Sequence, residues 1–336
     1  MILVTGSTGL VGSHLLYHLS LENDAIIAIY RTEKKIEKVR NVFSYYTDNF
    51  EQLFSKIKWI QADITDIPSL QIVFQYNILQ VYHCAALVSF DPKDYHEMRR
   101  VNIEGTANLI NFSTSYQVQK FCFVSSIAAV GDAINGEMID EENDWTDNGD
   151  KHGYAITKYG AEMEVWRGSQ EGLAVVIVNP GVILGSGFFN EGSGKIFSQV
   201  YNGFKFYTEG VTGFVGVKDV VKAMLQLMNS QIVNERFILV SENKSFQYIF
   251  NNIADVFNVK RPSIKIGTLA TAIFWRIDWL LTKITGKTPL LTKSSARSSH
   301  NKEFYSNEKI SKALNFEFQY IETTIKDVCN DFKKGH

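Results

Sequence analysis

A short apolar run at the start of the chain leads directly into a glycine-rich turn, and no other feature constrains the fold as tightly. Ile2–Thr5 is followed by Gly6-Ser7-Thr8-Gly9-Leu10-Val11-Gly12 and then by the helical sequence Ser13-His14-Leu15-Leu16. Glycines at 6, 9 and 12 permit a tight turn and let backbone N–H groups approach a pyrophosphate closely. The helix that follows presents the positive end of its dipole to the same spot. Three glycines alone are weak evidence, but a strand before them and a helix after them is the context that a dinucleotide-binding turn requires. Gly6, Thr8, Gly9, Leu10, Val11 and Gly12 are therefore expected to bind a cofactor.

The strand-then-helix rhythm continues along the chain. Strands are predicted at Ile2–Thr5, Ala25–Tyr30, Ile57–Gln61, Gln80–Ala85, Phe121–Ser125, Ala174–Asn179 and Arg236–Val240. Most are almost wholly apolar over four to six residues, the pattern of strands buried on both faces. Between them, Leu10–Leu19, Tyr95–Phe112, Tyr154–Arg167 and Val217–Met228 have helical spacing. Alternation of this kind predicts an α/β protein, a Rossmann-like doubly wound parallel sheet with helices on both faces and a smaller C-terminal substrate-binding domain. The expected division is a dinucleotide-binding core from 1–180 and 212–242, with 181–211 and 243–336 forming the substrate-binding part. The segment 181–213 is rich in glycine and aromatics and is expected to form loops around a pocket.

Composition bounds the function. With 336 residues, 45% hydrophobic, the chain can bury a sizeable core, and no biased tract marks it as disordered. A net charge of −2 carries no polyelectrolyte-binding signature, so no nucleic-acid partner is expected. Cys84, Cys122 and Cys329 are odd in number and far apart, which fits reduced thiols and a cytoplasmic location rather than a disulfide framework. No secretory leader and no run of about 18 uninterrupted apolar residues is present, so a soluble protein is expected. No internal repeat is visible.

Two further positions refine the expected site. A carboxylate about 20 residues beyond the glycines would hold the 2′-hydroxyl of NAD, whereas an arginine accommodates the 2′-phosphate of NADP. The residue after the second strand is Arg31, with Lys34 and Lys35 close behind, which favours NADP over NAD. The second position is a constellation. The fifth strand runs into Ser125-Ser126, and 28 residues beyond Ser126 comes Tyr154-Ala155-Ile156-Thr157-Lys158 at the start of an amphipathic helix. Tyr154 and Lys158 are one turn apart and share a face. A phenol of ordinary pKa about 10 is a poor acid–base catalyst at neutral pH, and a nearby lysine cation is expected to lower it. A serine hydroxyl at a strand end can polarise a carbonyl.

Together these residues resemble the extended short-chain dehydrogenase/reductases, also called the NAD-dependent epimerase/dehydratase family. The resemblance covers most of the chain. It includes Thr5–Gly12, Asp63-Ile64, His83-Cys84-Ala85-Ala86, Val101–Thr106, Ser125-Ser126, Tyr154–Lys158, Asn179-Pro180-Gly181, Phe214–Val220 and Tyr305-Ser306-Asn307 with Lys309. It implies a Ser126–Tyr154–Lys158 catalytic triad, with Lys158 also on the nicotinamide ribose. It implies Asp63 and Ile64 near adenine, Ala85, Ala86, Pro180 and Val182 along the cofactor, and Asn102 behind the active site on a structural or proton-relay helix. A homodimer is also implied, because family members commonly pair through the helices after Asn102 and Tyr154.

Departures from the family narrow the chemistry. Sugar-nucleotide dehydratases carry acids after the catalytic hydroxyl, where this chain has Ile127-Ala128; many sugar-nucleotide enzymes have Arg-Asp where Thr212-Gly213 precedes Phe214. The Ser125–Gly131 segment, Arg31 and Gly286-Lys287-Thr288-Pro289 look closer to the branch of dihydroflavonol reductases, aldehyde reductases and 3β-hydroxysteroid dehydrogenases. Phe188, Phe189, Phe197, Tyr201, Phe204, Phe206 and Tyr207 agree with an apolar pocket. The expected activity is hydride transfer between NADP(H) and a ketone, aldehyde or alcohol on an apolar small molecule. A sugar-nucleotide epimerase with tightly held NAD is the alternative, and a non-catalytic redox-sensing module is a third reading that an intact triad argues against.

Several other features are weighed and set aside. His14 and His18 have metal-ligand spacing but no third ligand, and no metal site is expected. Gly192-Ser193-Gly194-Lys195 lacks the first glycine and the hydroxyl of a nucleotide loop. Cys84 is read as packing. The basic stretch 260–312 and the acidic stretch 132–150 are read as solvated surface. Leu269–Ile284, with Trp275 and Trp279, is expected to pack on the protein's own core rather than on a membrane surface.

Overall fold

The computed structural model describes residues 1–133, 136–146, 151–285 and 293–335, with the backbone alone for 277–285 and 293–295. The Gly286–Pro289 stretch and the Trp279 side chain lie outside the described residues. In chain order the strands are β1 (Ile2–Thr5), β2 (Ile26–Tyr30), β3 (Ile57–Gln61), β4 (Gln80–His83), β5 (Lys120–Val124), β6 (Val175–Pro180), β7 (Val182–Leu184), β8 (Phe206–Tyr207), β9 (Val211–Gly216), β10 (Glu235–Leu239), β11 (Glu242–Ser245) and β12 (Ile264–Lys265).

Seven of them form one sheet, all parallel, in the order β10-β6-β5-β4-β1-β2-β3. These are the seven strands predicted from sequence, with ends shifted by one or two residues. The reason they read as continuous apolar runs is visible in their packing. Along β2, Ile26 and Ala28 enter one core while Ile27 and Ile29 enter the other, and Val176 and Val178 of β6 alternate with Val175 and Ile177 in the same way. One core is closed by helices Leu10–Glu22 and Val217–Asn229, through residues such as Leu15, Leu16, Val220 and Met224. The other is closed by Ile67–Val73, Gly105–Ser115 and Gly153–Gln170, through Leu70, Leu109, Ile110 and Val165. A strand facing helices on both sides has no face to leave polar.

The chain order turns back between β1 and β4, so the loops leaving those strands diverge and open a crevice at the carboxyl end of the sheet. Beside the sheet, β7, β9 and β11 form a small mixed sheet. It packs with helices Phe246–Phe257 and Ile321–Lys334 around a third apolar cluster that includes Phe189, Phe197, Phe214, Ile253 and Phe332.

The structure corrects several expectations. The segment 181–213 is not all loop: it contains β7, a helix over Lys195–Tyr201, β8 and the start of β9, elements too short to show periodicity in sequence. Phe188, Phe189 and Phe197 do not line an open pocket but are buried, the last two inside the third cluster. The helix predicted over Tyr95–Phe112 is interrupted by a π-helical stretch at Arg99–Glu104. Helix Thr268–Thr285 does not bury its whole apolar stripe, because Leu269, Ile273 and Phe274 stand exposed. Of the basic segment, Arg261, Lys265, Lys309 and Lys312 pair with Asp255, Glu209, Glu235 and Glu308, which is what a solvated face looks like. No helix of the described residues is long and apolar enough to cross a membrane.

Candidate active site

The crevice between β1 and β4 is lined by backbone because side chains cannot fit there. Gly6 has φ +63°, and a Cβ on it would lie 2.5 Å from Ala85 N, so the β1 and β4 loops touch at this point. A Cβ on Gly12 would lie 2.3 Å from the Gly6 carbonyl oxygen. Helix Leu10–Glu22 begins at Gly9 with extended backbone and no side-chain cap. Its first N–H groups therefore face the crevice without a competing side chain, and a pyrophosphate fits that cradle. Thr8, Leu10 and Val11 are half-buried around it.

At one end of the crevice, the loops after β2 and β3 bring Arg31 and Asp63 together, Nη1 to Oδ2 3.9 Å. Burial acts to raise the Asp63 carboxyl, but hydrogen bonds from Thr65 N and Oγ1, with the Arg31 and Arg100 cations, outweigh it and hold the group below the usual carboxylate range. Ile64 sends its side chain into the core against Gly105, so only its backbone is available to a ligand. Ala85 is half-buried and Ala86 exposed on the loop after β4. Pro180 ends β6 and Val182 begins β7 at the other end of the crevice.

Ser126 and Tyr154 come from separate elements and meet here. Ser126 follows β5, and its Oγ accepts from Ala128 N at 3.1 Å, leaving the hydroxyl proton to face the Tyr154 phenol, whose ionised form it favours. Tyr154 sits in the first turn of helix Gly153–Gln170, whose end is capped by His152 Nδ1 accepting from Ala155 N. Burial pushes the Tyr154 phenol up, and the Ser126 hydrogen bond only partly offsets this. The net direction is opposite to the lysine-driven lowering expected from sequence, because desolvation outweighs every other influence on the phenol. Lys158 is buried, donates to Val124 O at 2.7 Å and lies 4.4 Å from the centre of the Phe123 ring. Burial lowers its pKa to about 8, with Glu162 and Cys84 opposing the shift.

Behind this group runs a buried polar line. Thr106 donates to Asn102 O at 2.5 Å, so His83 Nε2 donates to Thr106 Oγ1 and His83 Nδ1 accepts from Thr5 Oγ1 at 2.7 Å. Burial, with Lys158 adding to it, lowers His83 to about 3 and keeps the ring neutral. Asn102 lies, buried, in the π-helical stretch. Its Nδ2 donates to Leu87 O and Thr157 Oγ1, both at 3.0 Å, and its Oδ1 accepts from Leu87 N at 2.7 Å. Asn102 thus clamps the loop after β4. That loop projects Val88 and Phe90 outward, 56% and 43% exposed. The Phe90 ring meets Tyr154 at 5.9 Å and His152 at 5.4 Å, edge to face.

Sequence reasoning missed Phe90, His152, Glu162 and Arg236, and it named Thr157 and Asn179 only as members of motifs, without a role. Of the four missed, Glu162 carried a usable signal, since it continues the four-residue spacing of Tyr154 and Lys158. Of the features set aside, His14 accepts from Tyr46 Oη and donates to Ser186 O, and burial raises the Cys84 thiol to about 12; the acidic stretch is not all solvated surface, because Glu141 is buried and its Oε1 accepts from Ile238 N at 2.7 Å. Among the described residues no cluster of His, Cys, Asp or Glu could hold a metal.

The parallel sheet, the glycine cradle at its switch point and the polar residues beyond it define an NAD(P)-dependent enzyme of the Rossmann type. Residues 4–237 match the NAD-binding family described as male sterility protein. The chain belongs to this family, within the extended short-chain dehydrogenase/reductases. It is 23% identical over 98% of its length, and 94% of the relative's, to a putative dihydroflavonol 4-reductase of Synechocystis. In fold it is similar to the yeast methylglyoxal/isovaleraldehyde reductase solved with NADPH, at TM-score 0.76 and 20% identity, covering 99% of this chain and 98% of that one. It is equally similar to UDP-glucose 4-epimerase of Thermotoga maritima, also TM-score 0.76 and 20% identity, covering 99% of both chains.

Proposed function

We propose that the protein is an NADP(H)-dependent reductase of ketones or aldehydes carried on apolar small molecules. The observation that carries this reading is the apolar rim beside Tyr154. A sugar nucleotide needs hydrogen-bonding partners around its hydroxyls, whereas Phe90 sets an aromatic ring against Tyr154 and the same loop exposes the hydrocarbon of Val88. In this reading Tyr154 gives a proton to the substrate oxygen, Ser126 orients that oxygen, and Lys158 holds the nicotinamide ribose and supplies positive charge beneath the phenol. The bound nicotinamide supplies the hydride to the carbonyl carbon, or accepts it in reverse. Gly6, Thr8, Gly9, Leu10, Val11 and Gly12 hold the pyrophosphate, Asp63 and Ile64 lie by the adenine, and Ala85, Ala86, Pro180 and Val182 line the remaining length.

Arg31 supports NADP over NAD. Its guanidinium is 56% exposed and tied only loosely to Asp63, so it is able to turn to a 2′-phosphate. The remaining parts of the proposal are a cofactor core at 1–180 and 212–242 with the rest shaping the substrate site, a homodimer, and a cytoplasmic location. The test is turnover of a panel of aryl and alkyl aldehydes and ketones with NADPH, beside UDP-glucose with NAD. Reduction of the carbonyl panel that is lost in Tyr154→Phe supports the reading. Epimerisation of UDP-glucose with no carbonyl reduction overturns it in favour of the sugar-nucleotide alternative.

A further inference from the structure

Helix Gly153–Gln170 carries a third ionisable residue in line with Tyr154 and Lys158. Glu162 lies one turn beyond Lys158 and is fully buried. Its Oε2 accepts from Ser125 Oγ at 2.7 Å and from Asn179 Nδ2 at 3.0 Å, and its Oε1 faces Arg236 Nη1 at 3.3 Å. The donors come from the ends of β5, β6 and β10. Asn179 Nδ2 also donates to Ser126 O at 3.0 Å, and Arg236 is itself anchored on the Glu141 carbonyl. A buried carboxylate with three donors is an expensive way to fill helix–sheet space, because an apolar side chain of similar size would stabilise the contact as well or better. Its placement is what distinguishes it: it lies one helical turn from Lys158 without forming an ion pair with it, while Lys158 donates to Val124 O, lies against the Phe123 ring and faces His83 and Cys84.

We propose that Glu162 is a positioning residue that keeps Lys158 cationic, and so sets the pH range in which Tyr154 and Lys158 work as a pair. The proposal rests on the reductase reading above and adds a residue to it. Burial alone works against the lysine cation, and Glu162 is the largest influence opposing it. The other groups facing Lys158 from neighbouring elements are His83 and Cys84 at the end of β4. Burial holds the first neutral down to about 3 and the second neutral up to about 12, so neither titrates in the working range. Arg236 of β10 faces Glu162 and tempers its field. Removing a negative charge disfavours protonation of every group nearby, so the first proton lost by the Tyr154–Lys158 pair leaves at lower pH, whichever residue carries it.

The test compares Glu162→Gln and Glu162→Asp with the unaltered chain in two assays: the pH profile of benzaldehyde reduction by NADPH, and the pH dependence of NADPH affinity, which needs no turnover. In Glu162→Gln the alkaline limb of both profiles moves to lower pH by about one unit or more, as a unit charge one helical turn away implies. Glu162→Asp keeps the charge and holds the limb near its original position. A Glu162→Gln protein that loses rate evenly across pH, with the limb unmoved, has a merely structural Glu162 and overturns the proposal. If Glu162→Gln does not fold, Arg236→Gln decides: the limb moves to higher pH under the proposal, and an unmoved limb overturns it. If the unaltered chain reduces no aldehyde, the reductase reading fails, and the NADPH-affinity profile still judges Glu162.

Discussion

Replacing Arg31 by alanine removes one of the two cations, with Arg100, that face Asp63 at the adenine end of the crevice. In the structure its guanidinium is 3.9 Å from Asp63 and more than half exposed, so the existing ion pair contributes little to stability and the fold should be unaffected. A guanidinium about 4 Å from a 2′-phosphate is worth about 4 kcal/mol at an effective dielectric of 20 and about 1 kcal/mol in bulk water. Half exposure places this site between those limits and toward the solvent one, at about 1.5 to 2 kcal/mol, or roughly a 10- to 30-fold loss of NADPH affinity. NADH lacks the phosphate and should lose almost nothing. The Asp63 carboxylate keeps its Thr65 hydrogen bonds and the Arg100 cation, and its Oδ2, freed of Arg31, is then an acceptor for the ribose 2′-hydroxyl, which pushes the preference further toward NADH. The assay is fluorescence titration with each cofactor at two salt concentrations, and raising salt should shrink the NADPH effect in the unaltered chain but not in Arg31→Ala. Equal affinity for the two cofactors at the outset, or a preference untouched by the substitution, refutes the NADP assignment.

Further outcomes follow from the same geometry. Tyr154→Phe removes the proton donor but no crevice-lining backbone, so turnover should vanish while NADPH affinity stays within about 2-fold, read by kinetics beside the titration. Gly12→Ala places a Cβ 2.3 Å from the Gly6 carbonyl oxygen and should abolish cofactor binding, measured by calorimetry, or unfold the turn. Phe90→Ala should raise KM for aryl aldehydes about 10-fold, the worth of one aromatic contact, with a smaller change for short alkyl aldehydes. Thermal stability should fall as pH drops below about 6.5, because burial lowers His83 to about 3 and His14 to about 4 while the unfolded chain binds those protons readily. Each histidine contributes at most about 1.4 kcal/mol per pH unit across that window, so a melting temperature flat from pH 6.5 to 5 would contradict their burial as neutral rings.

Much of this molecule is legible in its residues one after another. A strand packed between two helical layers is apolar at nearly every position, so the inner strands announce themselves without reference to anything distant, while the edge strands β3 and β10 carry exposed Lys58, Gln61 and Glu235. The glycine turn does likewise, since Gly6 adopts a positive φ and Gly6 and Gly12 sit where a Cβ would strike backbone. Tyr154 and Lys158 are one helical turn apart, a local relation. Tertiary structure alone decided what depends on meetings across the chain. Phe189 and Phe197 read as pocket residues but complete a core with Phe332 and Ile253, more than fifty residues away. The pKa of Tyr154 could not be inferred from its neighbour in sequence, because burial by the whole site sets its direction against the opposing Ser126 hydroxyl. Phe90 meets Tyr154 from a loop that Asn102 clamps at Leu87, more than fifty residues before Tyr154 in the chain. Periodicity and backbone freedom are local properties and can be read locally; desolvation and contact belong to the folded chain, and only its packing assigns them.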